Sequence, residues 1–337
     1  MNTLARLAAL ALISVALSAP LVAHHSAAAF DGQKNVTITG TLTKYRFANP
    51  HILLTLDVKR EDGSTTSVEV EAGAASVLNG LGFTQDKLKL GDVVTITGNP
   101  SRKTPDTAVL GKDLTKRDGT YLPLNIASRS VYEATVNATA TSIEGTWFPP
   151  FNQLSGILGA SRKFQLTDKG KAAQDERRQM DLTQRDCIPI GEPTVMLYPV
   201  ANTIKVQKDR VIIETDWMDT DRTVWLDGRA HPPATQTFLH GHSTGKWDGK
   251  ALVVETTNFK EHPLGLSTSM PSSTQKKLTE RYSLSEDGKS LLYSGTVEDP
   301  VYLSAPGSFS GTLQYRPGMT HSNQKCDLEI AQKFLKD

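Results

Sequence analysis

Downstream of Cys187 the sequence breaks into short alternating segments separated by turn pairs, and this constrains the fold more than any other feature. Residues 203–206, 210–217, 222–226, 251–257, 277–283, 290–297 and 308–315 each read as a strand, while Asp227-Gly, Asp248-Gly and Asp287-Gly mark turns. Strands at hairpin spacing with no helices between them predict an antiparallel barrel or a strongly curved sheet. A barrel of about eight strands has room for one small ligand.

The upstream half is also β-rich, on a smaller scale. Residues 36–43, 52–58 and 65–71 alternate as strands, with Glu61-Asp-Gly between the last two, and 90–100 reads as another strand. Residues 74–88, with Leu78, Leu81, Phe83 and Leu88, suit a short helix. This content predicts a small closed barrel of the OB type. Its groove lacks interleaved aromatic and basic residues, which argues against a nucleic-acid partner. Small polar residues over 125–142 read as a linker, and Gly145-Thr146-Trp147 opens the second domain. Thr167 is a candidate cap for a helix over 168–183. The expected fold is mainly all-β: an OB-like barrel over 24–124, a linker, and a larger antiparallel, lipocalin-like barrel with one helix over 143–337.

Residues 1–23 read as a signal peptide, with Arg6, an apolar run from Leu7 to Leu17, and small residues with Pro20 up to Ala23. Cuts after Ala28 or Ala29 satisfy the small-residue rule better, but they lie farther from the apolar run. No second apolar span follows. The expected localisation is therefore the periplasm or the exterior, with no membrane span. The 337 residues carry 37 basic and 36 acidic side chains, a formal net charge of +1. That balance argues against a general binder of nucleic acid or anionic membrane. Cys187 and Cys326 are the two cysteines, and an even pair in an exported chain predicts one disulfide.

Candidate chemistry gathers in two places. A cut after Ala23 leaves His24 and His25 at the mature terminus, where an amine, an imidazole and His51 could together hold copper or zinc. The denser cluster is Asp227, Arg229, His231, His240 and His242. Regular strand alternation would put the two imidazoles of His-Gly-His on one face. Such a set suits zinc, or metal-free acid–base work with Asp227 orienting a histidine and Arg229 holding an anion. The competing expectation is a packed corner built on an Asp227–Arg229 salt bridge. His242 and Arg229 are expected to line a pocket with His240 at its rim, provided Gly241 breaks the alternation. Trp225 and Trp247 are candidate ligand-contact residues. Glu214, Asp216, Asp219 and Asp221 read as solvated turn charges. Gly241-His-Ser243-Thr-Gly245 matches the hydrolase elbow pattern without its strand-then-helix context.

The segments His24-His-Ser-Ala-Ala-Ala-Phe-Asp, Asn49-Pro50-His51 and Leu90-Gly-Asp resemble an exported bacterial family of unknown function of the DUF6152 type. Cys187-Ile-Pro-Ile-Gly-Glu-Pro, Leu226-Asp-Gly-Arg-Ala-His-Pro, the 241–256 segment and Glu298-Asp-Pro resemble a widespread group of uncharacterised secreted bacterial β-rich domains. Neither resemblance implies a reaction. The leading expectation is an exported binder of a small apolar or aromatic molecule in the second barrel. One alternative is a hydrolase- or isomerase-type enzyme, metal-free or zinc-dependent, using Asp227, Arg229, His231 and His242. The other is copper or zinc binding through His24 with His51.

Overall fold

The protein is described by a computed structural model covering residues 29–126, 137–150, 163–174, 180–218 and 220–333. His24, His25, Asp219, the signal-peptide segment and most of the 125–142 linker lie outside these residues.

The first half forms β1 (Val36–Arg46), β2 (Leu53–Lys59), β3 (Thr65–Glu71), β4 (Val93–Pro100), β5 (Ala108–Lys116) and β6 (Tyr121–Pro123), with α1 (Ala75–Gly80) between β3 and β4. β1 pairs antiparallel with β2 and β4, β2 with β3, and β4 with β5. A parallel β3–β5 pairing closes the ring at five strands, which is the OB connectivity. Alternation drives it: Leu54, Leu56, Val68, Val70, Val94, Ile96 and Leu114 fill the interior.

The second half contains β7 (Gly145–Phe148), β8 (Asn202–Val206), β9 (Arg210–Thr215), β10 (Arg222–Trp225), β11 (His242–Asp248), β12 (Ala251–Thr257), β13 (His262–Ser267), β14 (Met270–Ser272), β15 (Lys277–Leu284), β16 (Ser290–Glu298) and β17 (Gly307–Tyr315). Nine of these close into a barrel in which each strand pairs with the next along the chain, and β17 returns to β7. β13 and β14 stand apart as an inserted hairpin. An odd ring cannot be antiparallel throughout. The parallel step falls at β10–β11, and residues 227–241 make the crossover. No helix among the described residues is long and apolar enough to cross a membrane.

Among the described residues the expected 168–183 helix is represented by two short helical pieces. α2 (Asp168–Ala173) is capped by Thr167, whose Oγ1 accepts from the Gly170 amide at 3.0 Å, and it ends at extended Gln174. The chain turns helically again at Met180–Arg185.

One end of the second barrel is closed from within. A 3₁₀ turn at Thr194–Leu197 carries Met196 and Leu197 into the barrel core together with Leu266 and Met270 of the hairpin. Gly311, on the inward face of β17, makes this approach possible: a Cβ there would stand 2.3 Å from Leu197 Cδ2.

The two barrels are joined closely. Val77 of α1 packs with Val195, Val200, Trp217 and Met218. Buried Asn49 bonds Ser76 Oγ at 2.7 Å and the Gln324 carbonyl at 2.8 Å. Asp216 accepts from the Ser322 amide at 2.7 Å and from Ser76 Oγ at 3.3 Å. Asp216 is thus a buried clasp and not the solvated turn charge its sequence neighbours suggested. The tail then runs back over the first barrel. Cys326 is disulfide-bonded to Cys187, and α3 (Leu328–Gln332) is capped by Asp327. Arg46 pairs with Asp327 and Glu329, and Lys333 with Glu69 at 2.5 Å. The β1–β3 face, where OB barrels commonly take ligands, therefore faces the chain's own tail, across a groove of about 340 Å³.

Candidate functional site

The 227–242 cluster lies on the outer wall of the second barrel. Arg229 donates from Nε to both Asp227 oxygens, at 2.9 and 3.0 Å, in an exposed turn. Its guanidinium sits 3.6 Å from the Trp225 ring centroid, with Arg210 also near that ring. Along β10 it is Arg222 and Val224 that are buried, so Trp225 points outward. Trp247 stands beside the β11–β12 turn and is 43% exposed. Trp147 and Trp217 are buried, the latter in the contact between the barrels, so the four tryptophans do not wall a common cavity.

Gly241 decides where the two histidines go. Its φ of +67° breaks the alternation and sends them to opposite sides. His242 stays on the outer wall, half-buried, with Nδ1 2.9 Å from Nδ1 of His231. His231 Nε2 lies 3.3 Å from Thr244 Oγ1 and 3.4 Å from Glu255 Oε1. His240 turns inward instead, to Glu192 at 3.0 Å. His240, expected at the rim, is thus the more enclosed of the two, while His242 faces outward. Ser243 faces inward and bonds Thr256 Oγ1 at 2.8 Å, away from His242, so the elbow-like pattern yields no serine–histidine pair.

The crossover is held by Asn258, whose Nδ2 reaches the carbonyls of Pro232, Pro233 and Gln236 at 2.9 to 3.2 Å. Asn258→Ala strands these acceptors and is expected to cost about 1–3 kcal/mol, mostly locally. Hydrogen exchange reports on it: amides in 230–240 should exchange faster than in the wild type, and unchanged exchange would refute the pinning role.

In the first barrel His51 is buried, its Nδ1 3.3 Å from the Ala72 carbonyl and 3.3 Å from Glu71 Oε1. Its structural partners are therefore internal. Among the described residues no three His, Cys, Asp or Glu side chains come together as a metal-binding group.

The strongest concentration of charge lies inside the second barrel, among residues that sequence reasoning did not select. Glu280 and Tyr282 occupy buried positions of β15 in phase with Leu278, and Tyr293 does the same on β16. Arg222 Nη2 donates to Glu280 Oε1 at 2.7 Å and to the Tyr282 hydroxyl. Both phenols donate to Glu280 Oε1, at 2.9 Å from Tyr282 and 2.6 Å from Tyr293. Above this group, Lys276 Nζ bonds the carbonyls of Glu192 at 2.7 Å and Gly265 at 2.6 Å, fastening the inserted turn to the hairpin.

These groups act on one another electrostatically. Burial pushes the Glu192 carboxyl up, but His240, Arg222 and Lys276 outweigh it and hold it at about 2. Burial opposes protonation of His240, yet Glu192 raises it above the ordinary imidazole value. Burial pulls Lys276 down to about 8 against the nearby carboxylates, and burial together with Lys276 takes His262 to about 4. Burial lifts both phenols well above their usual range.

Glu192 gives a pH prediction. Its carboxyl is held below the ordinary 4.5, so its stabilisation is fully present above pH 4.5 and is lost as pH falls towards 2. The stability gap between wild type and Glu192→Gln, measured by denaturant unfolding at several pH values, should shrink across that window. A constant gap would contradict the ion pairing.

Among the described residues, several buried atoms in this region have no protein partner: Arg222 Nη1, Glu280 Oε2, Glu192 Oε2, His240 Nε2 and Ser272 Oγ. The signal that could have found the region is parity. Glu280 and Arg222 stand where the alternation of their strands demands apolar residues.

Comparison with known proteins adds a likeness for the first half. The chain is similar over residues 11–109 to a family described as "Family of unknown function (DUF6152)". No curated protein matches it.

Proposed function

We propose that this chain is an exported small-molecule-binding protein whose second barrel takes a small zwitterionic or polyhydroxylated compound. The observation that carries the reading is the group of unpartnered buried atoms around Arg222 and Glu280. Leaving a buried polar atom unpaired costs about 1–3 kcal/mol, more when it is charged. A chain that keeps several in one barrel holds free donors and acceptors that a ligand can satisfy. The guanidinium Nη1 of Arg222 complements a carboxylate. The free oxygens of Glu280 and Glu192 complement an ammonium or hydroxyls. This keeps the barrel as the container and replaces an apolar or aromatic ligand with a polar one, because Trp225 and Trp247 stand outside while charge stands inside. The leader-like segment is what supports a place in the periplasm or exterior.

Thermal-shift and calorimetric screening of the untagged protein against free amino acids, betaines, amino sugars and polyols tests the proposal. One class should raise the melting temperature, since a ligand at about 100 times its Kd stabilises by about 2.7 kcal/mol. Ser272→Ala removes an atom that has no partner, so it should leave the free protein's stability nearly unchanged while weakening the ligand's effect. The reading fails if no compound in these classes shifts the transition, or if the ligand's effect is unchanged in both Ser272→Ala and Arg222→Lys.

A further inference from the structure

We propose that His231 and His242 form a two-histidine site for a borderline divalent cation, zinc or copper, on the outer wall of the second barrel. It is separate from the interior ligand region. The two Nδ1 atoms converge at 2.9 Å although the residues lie eleven positions apart. Both approaches are fixed before any ion arrives. His242 begins β11, where it pairs with Thr257 of β12, and His231 precedes Pro232 in the crossover that Asn258 holds through three carbonyls.

The second observation is the far side of the His231 ring. Its Nε2 faces Thr244 Oγ1 at 3.3 Å and Glu255 Oε1 at 3.4 Å. A ligating histidine commonly hands its other ring N–H to a carboxylate, which fixes the tautomer and makes the ligating nitrogen more basic. Here that arrangement leaves the lone pair of His231 Nδ1 directed at His242. Without metal, His242 Nδ1 donates its proton to that lone pair. With metal, the proton sits on Nε2 of His242 and both Nδ1 lone pairs turn to the ion. Imidazole nitrogens suit zinc and copper over magnesium or calcium. Both rings are partly exposed, so an ion reaches them from solvent, and water or an incoming donor completes its coordination. Asp227 is committed to Arg229 and is not needed as a ligand.

Calorimetry of the untagged protein with zinc sulfate, and separately with copper sulfate, tests this in a His24→Ala/His25→Ala background that removes the terminal imidazoles. The background protein should bind one equivalent of at least one of the two ions. His231→Ala and His242→Ala should each weaken binding at least tenfold, His51→Ala should leave it unchanged, and Glu255→Gln should weaken it severalfold while the melting temperature of the free protein stays the same. On zinc addition, nitrogen-15 spectra should show Nδ1 of both residues moving to the metal-bound range, a readout that a merely structural role for Glu255 would not produce. Absence of binding by either ion, or binding that survives the double variant His231→Ala/His242→Ala, overturns the proposal.

Discussion

Replacing Cys187 and Cys326 together by serine is expected to cost roughly 5 kcal/mol of stability, because the bond closes a loop with a sequence separation of 139 and so restricts the unfolded chain strongly. The tail it anchors does more than finish the second barrel. Ser322 completes the Asp216 clasp, Asp327 receives Arg46 and donates its amide to the Asn49 carbonyl, and α3 lies over β1–β3. Loosening Cys326 therefore releases contacts on the first barrel as well. Denaturant unfolding of the double variant should give a midpoint shift matching that of the reduced wild type, and amides of 322–333 should lose exchange protection. A loss under about 1 kcal/mol, or protection of the tail retained in full, would show that the clasp holds the tail without the covalent link.

The architecture was readable where burial wrote a period of two into the text. β8, β9, β10, β12, β15, β16 and β17 all show it, and they are the strands that the sequence predicted for the second barrel. β11 was hidden because its inward residues are Ser243 and Gly245, which leave no apolar alternation to detect. β7 and the β13–β14 hairpin are short or buried on every side, so they too lack the pattern. The disulfide followed from the even cysteine count together with the expectation of export. The candidate site was less legible, for a physical reason. Motif-like clusters of charge stand out in turns, and the Asp227–Arg229 pair is such an exposed turn. The interior set is spread over separate strands and the inserted turn, and only barrel closure brings Arg222, Glu280, Glu192 and Lys276 together. The split of His240 from His242 depended on one backbone angle at Gly241, which a spacing rule cannot supply.

Arg222→Met is the substitution that should hurt the folded state most among the interior residues, by about 3–5 kcal/mol, because it leaves the Glu280 carboxylate buried without its cation. The phenols of Tyr282 and Tyr293 would still donate to Glu280, but two neutral donors do not offset a lost guanidinium at a buried carboxylate. Introducing Glu280→Gln as well removes the stranded charge, since an amide still accepts from the phenols. The double variant Arg222→Met/Glu280→Gln should recover a substantial part of the loss, with a coupling of about 0.5–3 kcal/mol in a double-mutant cycle. Denaturant unfolding of the four proteins at neutral pH measures it. Additive losses would mean that the pair contributes no interaction of its own. A single Arg222→Met variant as stable as wild type would mean that Glu280 is not held as a buried anion. In that case the interior would lose the charge that selects a zwitterionic ligand, whereas a strong coupling keeps Arg222 and Glu280 as a paired anchor with one free atom each.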